Sequence, residues 1–182
     1  MKKLIIIGSS GFVGKSLNDF LKKKKSYKIF NYSRTQKKDI SSFSKIPSSD
    51  FIIYCINNKN IKTSLKYFFH FKKLLYKNKN KPKILFFSSG AVYGPRSLKK
   101  RFKEQDHIDI KKYKKFDGYK KNYAKEKYLL EKEFKKIAKE GFKVSIARGF
   151  TFYGRHILNY DFLISKIISA VKLKKTLIIN NP

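Results

Sequence analysis

Three glycines spaced three residues apart constrain the fold of this chain most. Gly8, Gly11 and Gly14 follow the apolar run 4–7 and precede a segment whose apolar residues recur every three to four positions. With this glycine content, chance would give the spacing only about 0.02 times. Such a turn brings backbone amides and a helix N-terminus close to a pyrophosphate. The pattern predicts a dinucleotide-binding turn, the alternative being a plain strand-to-helix connection.

Downstream, short apolar runs alternate with amphipathic segments. The alternation predicts an α/β fold, a Rossmann-type doubly wound parallel sheet with helices on both faces. The segment 94–117 lacks periodicity and is expected to be a long loop over a site. Strands are predicted at 4–7, 29–32, 51–56, 83–88 and 144–147, with a short one near Asp39 and Ile40. Helices are predicted at 12–24, 61–76, 119–139 and 161–173, before a last apolar stretch at 176–179.

Composition limits the class of protein. A length of 182 residues fits one domain, and the single cysteine, Cys55, excludes an internal disulfide and is expected to be a buried small hydrophobe. No segment has the length of a secretory signal core or a membrane helix, so we expect a soluble, cytoplasmic protein without membrane contact. The histidines, His70, His107 and His156, are far apart and suggest no metal site.

The net charge of +33 raises nucleic acid as a partner. However, the lysines are spread along almost the whole chain, and no basic zipper, zinc-ligand spacing or aromatic RNA-binding motif occurs. We therefore expect no specific nucleic-acid binding. A weak, nonspecific attraction to polyanions remains the alternative of another class.

A phenol and an ammonium at helical i, i+4 spacing form the candidate acid/base pair. Tyr123 and Lys127 have this spacing, but so do Tyr128 and Lys132. The Tyr and Lys content alone predicts roughly 2.6 such matches by chance. Position in the chain, rather than spacing, must therefore identify the functional pair.

The end of the second predicted strand bears on cofactor choice. An acid there usually binds the ribose hydroxyls of NAD, but the chain has Arg34 instead, which can pair with the 2′-phosphate of NADP. The sequence thus predicts NAD or NADP with a modest preference for NADP.

Four stretches, in order, resemble the extended short-chain dehydrogenase/reductase family of NAD(P)-dependent, sugar-nucleotide-modifying epimerases and dehydratases. They are the glycine loop Gly8-Ser-Ser-Gly-Phe-Val-Gly14, the segment Ser88-Ser-Gly-Ala-Val-Tyr-Gly94, Tyr123-Ala-Lys-Glu-Lys127 followed by Glu131, and Arg148-Gly-Phe-Thr-Phe-Tyr-Gly154. Tyr128 and Lys132 lack the small residue and the downstream acid of the third stretch. The resemblance therefore selects Tyr123 and Lys127.

The resemblance implies a role for each matching residue. Tyr123 would transfer a proton at a sugar hydroxyl or ketone during hydride transfer at a sugar carbon, Lys127 would bind the nicotinamide ribose and lower the tyrosine pKa, and Ser89 would hold the substrate oxygen. A nucleotide sugar is the implied substrate, and a homodimer through the helix bearing Tyr123 is the implied assembly. The expected cofactor-binding residues are Gly8, Ser10, Gly11, Phe12, Val13, Gly14, Arg34, Asp39, Ile40 and Lys127.

Several departures from the family pattern qualify this expectation. Gly90 and Ala91 stand where the dehydratase branch has an Asp-Glu pair, which argues against a 4,6-dehydratase, and Thr151 replaces an Asn. The segment 54–58 also departs from the family's His-x-Ala-Ala motif. We expect residues 1–182 to form the NAD(P)-binding domain, with 155–182 beginning a substrate lobe that is mostly missing. A nonenzymatic NAD(P)-binding remnant, or one half of a split enzyme, is the alternative.

Overall fold

The computed structural model describes residues 1–33, 44–58, 60–78, 80–95, 101–154, 156–157 and 163–177. The chain forms two compact units, Met1–Phe150 and Thr151–Pro182. The predicted strand near Asp39 and Ile40, the candidate Arg34 and the end of the predicted apolar stretch at 178–179 lie outside the described residues.

A parallel sheet forms the centre of the first unit, which confirms the predicted Rossmann-type α/β fold. Its five described strands have the order β2-β1-β3-β4-β5, and every neighbouring pair is parallel. The strands are β1 (Lys2–Ile7), β2 (Tyr27–Tyr32), β3 (Phe51–Tyr54), β4 (Lys83–Ser89) and β5 (Val144–Gly149), and the helices are α1 (Phe12–Lys23), α2 (Ile61–Tyr76) and α3 (Gly118–Lys139).

Alternating side chains of β1 enter two separate cores, one on each face of the sheet. Ile5 and Ile7 belong to a large cluster that includes residues of α2 and α3, whereas Leu4 and Ile6 pack with residues of α1. Burial on both faces explains why the strands read as continuous apolar runs. The helices therefore cover both faces, as predicted.

The direction of the strand order reverses at β1, since β2 lies on one side of it and β3 on the other. In open parallel sheets, ligands bind in the crevice at the carboxyl ends of the strands at such a reversal. Gly8 directly follows β1 and Cys55 directly follows β3, where the Cys55 N–H donates to the Ile7 carbonyl at 2.9 Å. The glycine loop thus lies at this crevice.

Four local predictions differ from the structure. β3 ends at Tyr54 and β5 extends to Gly149. The segment expected to be a loop contains a 3₁₀ helix, Ile110–Lys115, which begins at an Asp109 cap. Cys55 is only half-buried, although its thiol points inward and donates to the Ile7 carbonyl at 3.2 Å.

The second unit contains the helix α4, Leu163–Lys172, within its described part. Several of its apolar side chains are exposed, namely Leu163, Ile167, Ile168 and Val171. Among the residues described in either unit, no helix is both long and apolar enough to cross a membrane.

Candidate active site

The three glycines of the first turn meet different steric constraints. A Cβ on Gly14 would lie 2.3 Å from the Gly8 carbonyl oxygen, and one on Gly8 would lie 2.8 Å from the Cys55 carbonyl carbon. Gly8 also has a φ of +95°. By contrast, a Cβ on Gly11 would meet only the Gly8 oxygen, at 3.4 Å. Packing within the protein therefore requires glycine at positions 8 and 14 but not at 11.

The first turn of α1 has the properties of an anion-binding helix terminus. Gly11 is its N-cap, makes no side-chain cap hydrogen bond and is exposed, and the first turn contains no acidic residue. The loop is fixed to the end of β2, because the N–H groups of Gly8 and Ser9 donate to the Tyr32 carbonyl at 2.9 and 3.2 Å. The positive end of the helix dipole and the first-turn amides suit a phosphate group. Of the expected cofactor residues, Ser10 lies in this loop, and Phe12 and Val13 begin the helix.

Tyr123 and Ser89 come together from different elements. Tyr123 lies on α3 and Ser89 ends β4, and the Ser89 hydroxyl is near enough to the phenol to affect its pKa. Burial raises the pKa of Tyr123, the Ser89 hydroxyl lowers it, and Tyr119 and Glu126 raise it. Lys127 was expected to lower the tyrosine pKa, but in the structure the neighbour that does so is Ser89.

Ser89 also has a structural role. Its Oγ accepts a hydrogen bond from the Ala91 N–H at 3.2 Å and so caps the 3₁₀ turn Gly90–Tyr93. A hydroxyl has one donor and two acceptor lone pairs, so the cap leaves Ser89 free to interact with a further group. The same side chain is thereby fixed in place beside the phenol.

Lys127 is buried one helical turn beyond Tyr123. Its Nζ lies 5.7 Å from the centroid of the Tyr123 ring and donates to the carbonyls of Ile56, at 3.0 Å, and Phe87, at 3.4 Å. Burial lowers the pKa of this ammonium, whereas Glu126 and Cys55 raise it. The ammonium has three N–H groups and the two carbonyls use two of them, so one N–H remains to bind a ligand at the ends of β3 and β4.

Phe150 limits which side chains can follow Ser89. A Cβ on Gly90 would lie 2.4 Å from Cδ1 of the Phe150 ring, which also stacks on Tyr93 with centroids 6.2 Å apart. Position 90 therefore accepts no side chain unless Phe150 moves. An acidic side chain at position 90, which the sequence lacks, would therefore also clash with the Phe150 ring.

A charged network fixes α3 to β5 behind the candidate site. The guanidinium of Arg148 donates to both carboxylate oxygens of Glu131, at 2.9 and 2.8 Å, and to the Tyr93 hydroxyl at 2.6 Å. The Ser88 hydroxyl donates to the same carboxylate at 2.5 Å. Bidentate pairs of this kind restrict geometry strongly. Through Ser88, Tyr93, Glu131 and Arg148, the network links three of the four stretches that resemble the family.

The structure therefore assembles Gly8, Gly11 and Gly14 at the crevice and joins Ser89, Tyr123 and Lys127 beside it. Tyr128 instead packs edge-on against Tyr113, with centroids 6.5 Å apart. Arg34, Asp39 and Ile40 lie outside the described residues. The sequence analysis did not predict the buried Glu126. It could have been noticed as an acidic residue next to Lys127 on a helix whose other charged residues are mostly exposed lysines.

Comparisons with known proteins bear on this geometry. A model of the NAD dependent epimerase/dehydratase family matches residues 4–181. No curated protein matches the chain.

Three similar solved structures share the fold. RMD from Pseudomonas aeruginosa, complexed with NADPH, is 19% identical with a TM-score of 0.67 over 97% of this chain. A dTDP-glucose 4,6-dehydratase from Bacillus anthracis in complex with NAD is 16% identical with a TM-score of 0.70, also over 97%. A UDP-glucuronic acid 4-epimerase from Bacillus cereus in complex with NAD is 17% identical with a TM-score of 0.58 over 97%. The chain spans 62%, 63% and 66% of these proteins, respectively.

Proposed function

Because this chain belongs to the NAD dependent epimerase/dehydratase family, we propose that it binds NAD or NADP at the Gly8–Gly14 loop and takes part in hydride transfer at a carbon of a nucleotide sugar. The observation that carries the proposal is the joining of Tyr123, Ser89 and Lys127 next to the crevice at the ends of β1 and β3. Solved structures of the same fold bound to NAD or NADPH support the choice of cofactor.

The glycine loop supplies the expected pyrophosphate site. Gly11 is a glycine that the protein's own packing does not require, since a Cβ there would meet only one atom at contact distance. Glycine at position 11 is explained if a ligand must approach the backbone there, because any side chain would block that approach. The first-turn amides Phe12 to Gly14 would bind the phosphate oxygens, and Lys127 would bind the nicotinamide ribose. The residues present therefore fit a nicotinamide dinucleotide.

Tyr123 would handle the proton that accompanies the hydride. When bound, the nicotinamide ring supplies the hydride donor or acceptor, which no protein side chain can replace. Because the pKa of Tyr123 is raised, its phenol is protonated at neutral pH and can donate to the oxygen of a sugar ketone. Ser89 would hold the same oxygen in place, and in the reverse direction the phenolate form of Tyr123 would take the proton from the sugar hydroxyl.

Elimination chemistry fits this site less well than epimerisation or ketone reduction. A 4,6-dehydratase needs acid/base groups directly after the substrate-binding hydroxyl residue, yet positions 90 and 91 are Gly and Ala. The Phe150 ring occupies the space that a side chain at position 90 would need. We therefore propose an epimerase or ketoreductase reaction.

Paired tyrosine variants test this role. Tyr123→Phe removes the proton donor and should lower kcat by about 10²- to 10⁴-fold. Tyr128→Phe removes the neighbouring phenol of the same spacing and should leave kcat within about twofold of wild type. Turnover is measured as nicotinamide absorbance change or as epimer formation across a panel of nucleotide sugars.

Each outcome of that experiment has a distinct meaning. Full turnover by the Tyr123→Phe variant would refute the assignment of Tyr123. If the wild type binds NAD(P) but converts no nucleotide sugar, the chain acts as a nonenzymatic NAD(P)-binding protein or as one part of a split enzyme.

A further inference from the structure

Glu126 is a buried carboxylate to which the proposed reaction assigns no role. Its residue is only 1% exposed, and it directly precedes Lys127 on α3. Burying an ionised carboxylate is unfavourable unless hydrogen bonds or an opposite charge compensate. The groups around it therefore indicate what it does.

A hydroxyl holds the Glu126 carboxylate against the start of α2. The Ser64 hydroxyl, in the first turn of α2, donates to Oε1 at 2.8 Å. The backbone N–H of Asn58, in the loop between β3 and α2, lowers the pKa of the carboxyl group and so favours its charged form. Glu126 thus fastens α3 to the β3–α2 loop, the segment that follows Cys55 at the crevice.

Lys127 holds the same loop two residues earlier. Its Nζ donates to the Ile56 carbonyl at 3.0 Å, while the Asn58 N–H lowers the pKa of Glu126. Two consecutive residues of α3, of opposite charge, therefore bind one loop at neighbouring points. The first residue of that loop, Cys55, is hydrogen-bonded to β1 next to the glycine turn. The loop consequently connects the lysine with the expected cofactor site.

We propose that Glu126 is a positioning residue that keeps Lys127 in its charged form and in place against the β3–α2 loop. The inference rests on the proposed function, because the charge on Lys127 matters to a reaction only when a nicotinamide ribose is bound beside it. The carboxylate does not touch the substrate or the cofactor in this role.

The electrostatic surroundings are consistent with this role. Burial lowers the pKa of Lys127, and the neighbours that raise it are Glu126 first and then Cys55, which faces it from the end of β3. Burial raises the pKa of Glu126, opposed by Lys127, the Ser64 hydroxyl and the Asn58 N–H. Among the described residues, Tyr54 of β3 and Tyr123 of α3 also interact with Glu126. Without the carboxylate charge, less remains to oppose the lowering of the Lys127 pKa by burial, so Lys127 should lose its proton at a lower pH.

Substitutions that separate charge from shape test the proposal. Glu126→Gln keeps the size but loses the charge, whereas Glu126→Asp keeps the charge on a shorter side chain. Glu133→Gln is the matched control, because Glu133 lies on the same helix and pairs with Lys136 at 2.6 Å. Titration of Lys127 is followed by NMR of isotope-labelled lysine side chains, with the signal assigned from Lys127→Arg. We expect the midpoint to fall by about one to three pH units in Glu126→Gln and to stay near wild type in Glu126→Asp and Glu133→Gln.

A second readout follows cofactor binding over pH. The chain contains no Trp, so the emission of bound NADH or NADPH is measured without tryptophan background. The alkaline loss of binding should move to lower pH in Glu126→Gln only. A purely structural role predicts the opposite ranking, with the isosteric Gln variant like wild type and the shorter Asp variant impaired, and this result would overturn the proposal.

The two readouts separate failure of this inference from failure of the proposed function. A wild type that binds neither NADH nor NADPH at any pH contradicts the proposed function, while the Lys127 titration still decides whether Glu126 sets the lysine charge. Binding by wild type with unchanged Lys127 midpoints in Glu126→Gln rejects the inference alone. If circular dichroism shows that Glu126→Gln does not fold, Ser64→Ala replaces it, with a shift expected in the same direction and an unchanged midpoint counting against the proposal.

Discussion

At the residue scale, residues of the same type in this protein have different neighbours and are therefore constrained differently. Gly8 and Gly14 are required by backbone atoms of the protein itself, whereas Gly11 has room for a methyl group. Likewise, Tyr123 and Tyr128 share the spacing to a lysine, but Tyr123 interacts with Ser89 whereas Tyr128 packs against Tyr113. Position within the packed structure therefore distinguishes residues that the sequence presents as equivalent.

Tyr54 offers a test of core energetics at this scale. Its ring lies in an aromatic cluster with Phe68, Phe71, Phe86 and Phe134, yet its hydroxyl is buried without a partner among the described residues. Removing an unsatisfied buried hydroxyl relieves its desolvation penalty. We expect Tyr54→Phe to raise the free energy of unfolding by about 1 kcal/mol, measured by urea denaturation.

Tyr113→Phe is the matched control for this prediction. The Tyr113 hydroxyl is also buried but donates to the Val92 carbonyl at 2.6 Å. Its removal should lower the free energy of unfolding by about 1 kcal/mol. Equal destabilisation by both variants would show that the Tyr54 hydroxyl is satisfied in solution.

At the element scale, hydrophobic periodicity predicted the location and type of α1, α2, α3 and the strands β1 to β5. These runs are buried on both sides of a parallel sheet, so their apolar pattern is strong. The 3₁₀ helix Ile110–Lys115 was missed because it is exposed at most positions and begins with a side-chain cap on Asp109. Short, polar elements fixed by local hydrogen bonds leave little periodicity to detect.

The same scale explains which parts of the candidate site were predictable. The motifs indicated Ser89, Tyr123 and Lys127 through their order in the chain. They could not indicate the carbonyls of Ile56 and Phe87, which bind Lys127 through the backbone and have no side-chain signature. Nor could they indicate Glu126, whose partners Ser64 and Asn58 lie on distant segments.

Packing of α3 against β5 should depend on the Arg148–Glu131 pair. The two side chains are 13% and 2% exposed, respectively. Removing one partner of a buried ion pair leaves the other charge uncompensated. We expect Arg148→Met to lower the free energy of unfolding by about 3–5 kcal/mol in urea titrations.

Lys136→Met is the surface counterpart. Lys136 pairs with Glu133 on the same helix and is 58% exposed, so its removal should change the free energy of unfolding by less than about 1 kcal/mol. A comparable loss in both variants would mean that general charge effects, and not the buried pair, connect α3 to β5.

At the scale of the whole molecule, the strand order and the family match both indicate a Rossmann-type fold. The chain spans about two thirds of the length of its solved relatives, or less. The crevice at the reversal of strand order lies beside the assembled Ser89, Tyr123 and Lys127. The net charge of +33 is high for such a fold and supports attraction to anionic ligands in general. Binding that depends on the glycine loop distinguishes a specific site from this general attraction.

The most direct test of the account is therefore calorimetric binding of NADH and NADPH to wild type and to Gly11→Ala. The account predicts saturable 1:1 binding by wild type, somewhat tighter for NADPH, and at least about tenfold weaker binding by Gly11→Ala, because a methyl group keeps the pyrophosphate from the backbone. The melting temperature of the variant should fall by no more than about 4 °C, since the added Cβ meets only the Gly8 oxygen, at 3.4 Å, and the remaining cost is that of alanine as an N-cap. Equal binding by both proteins, or no saturable binding of either nucleotide by the wild type, would contradict the account.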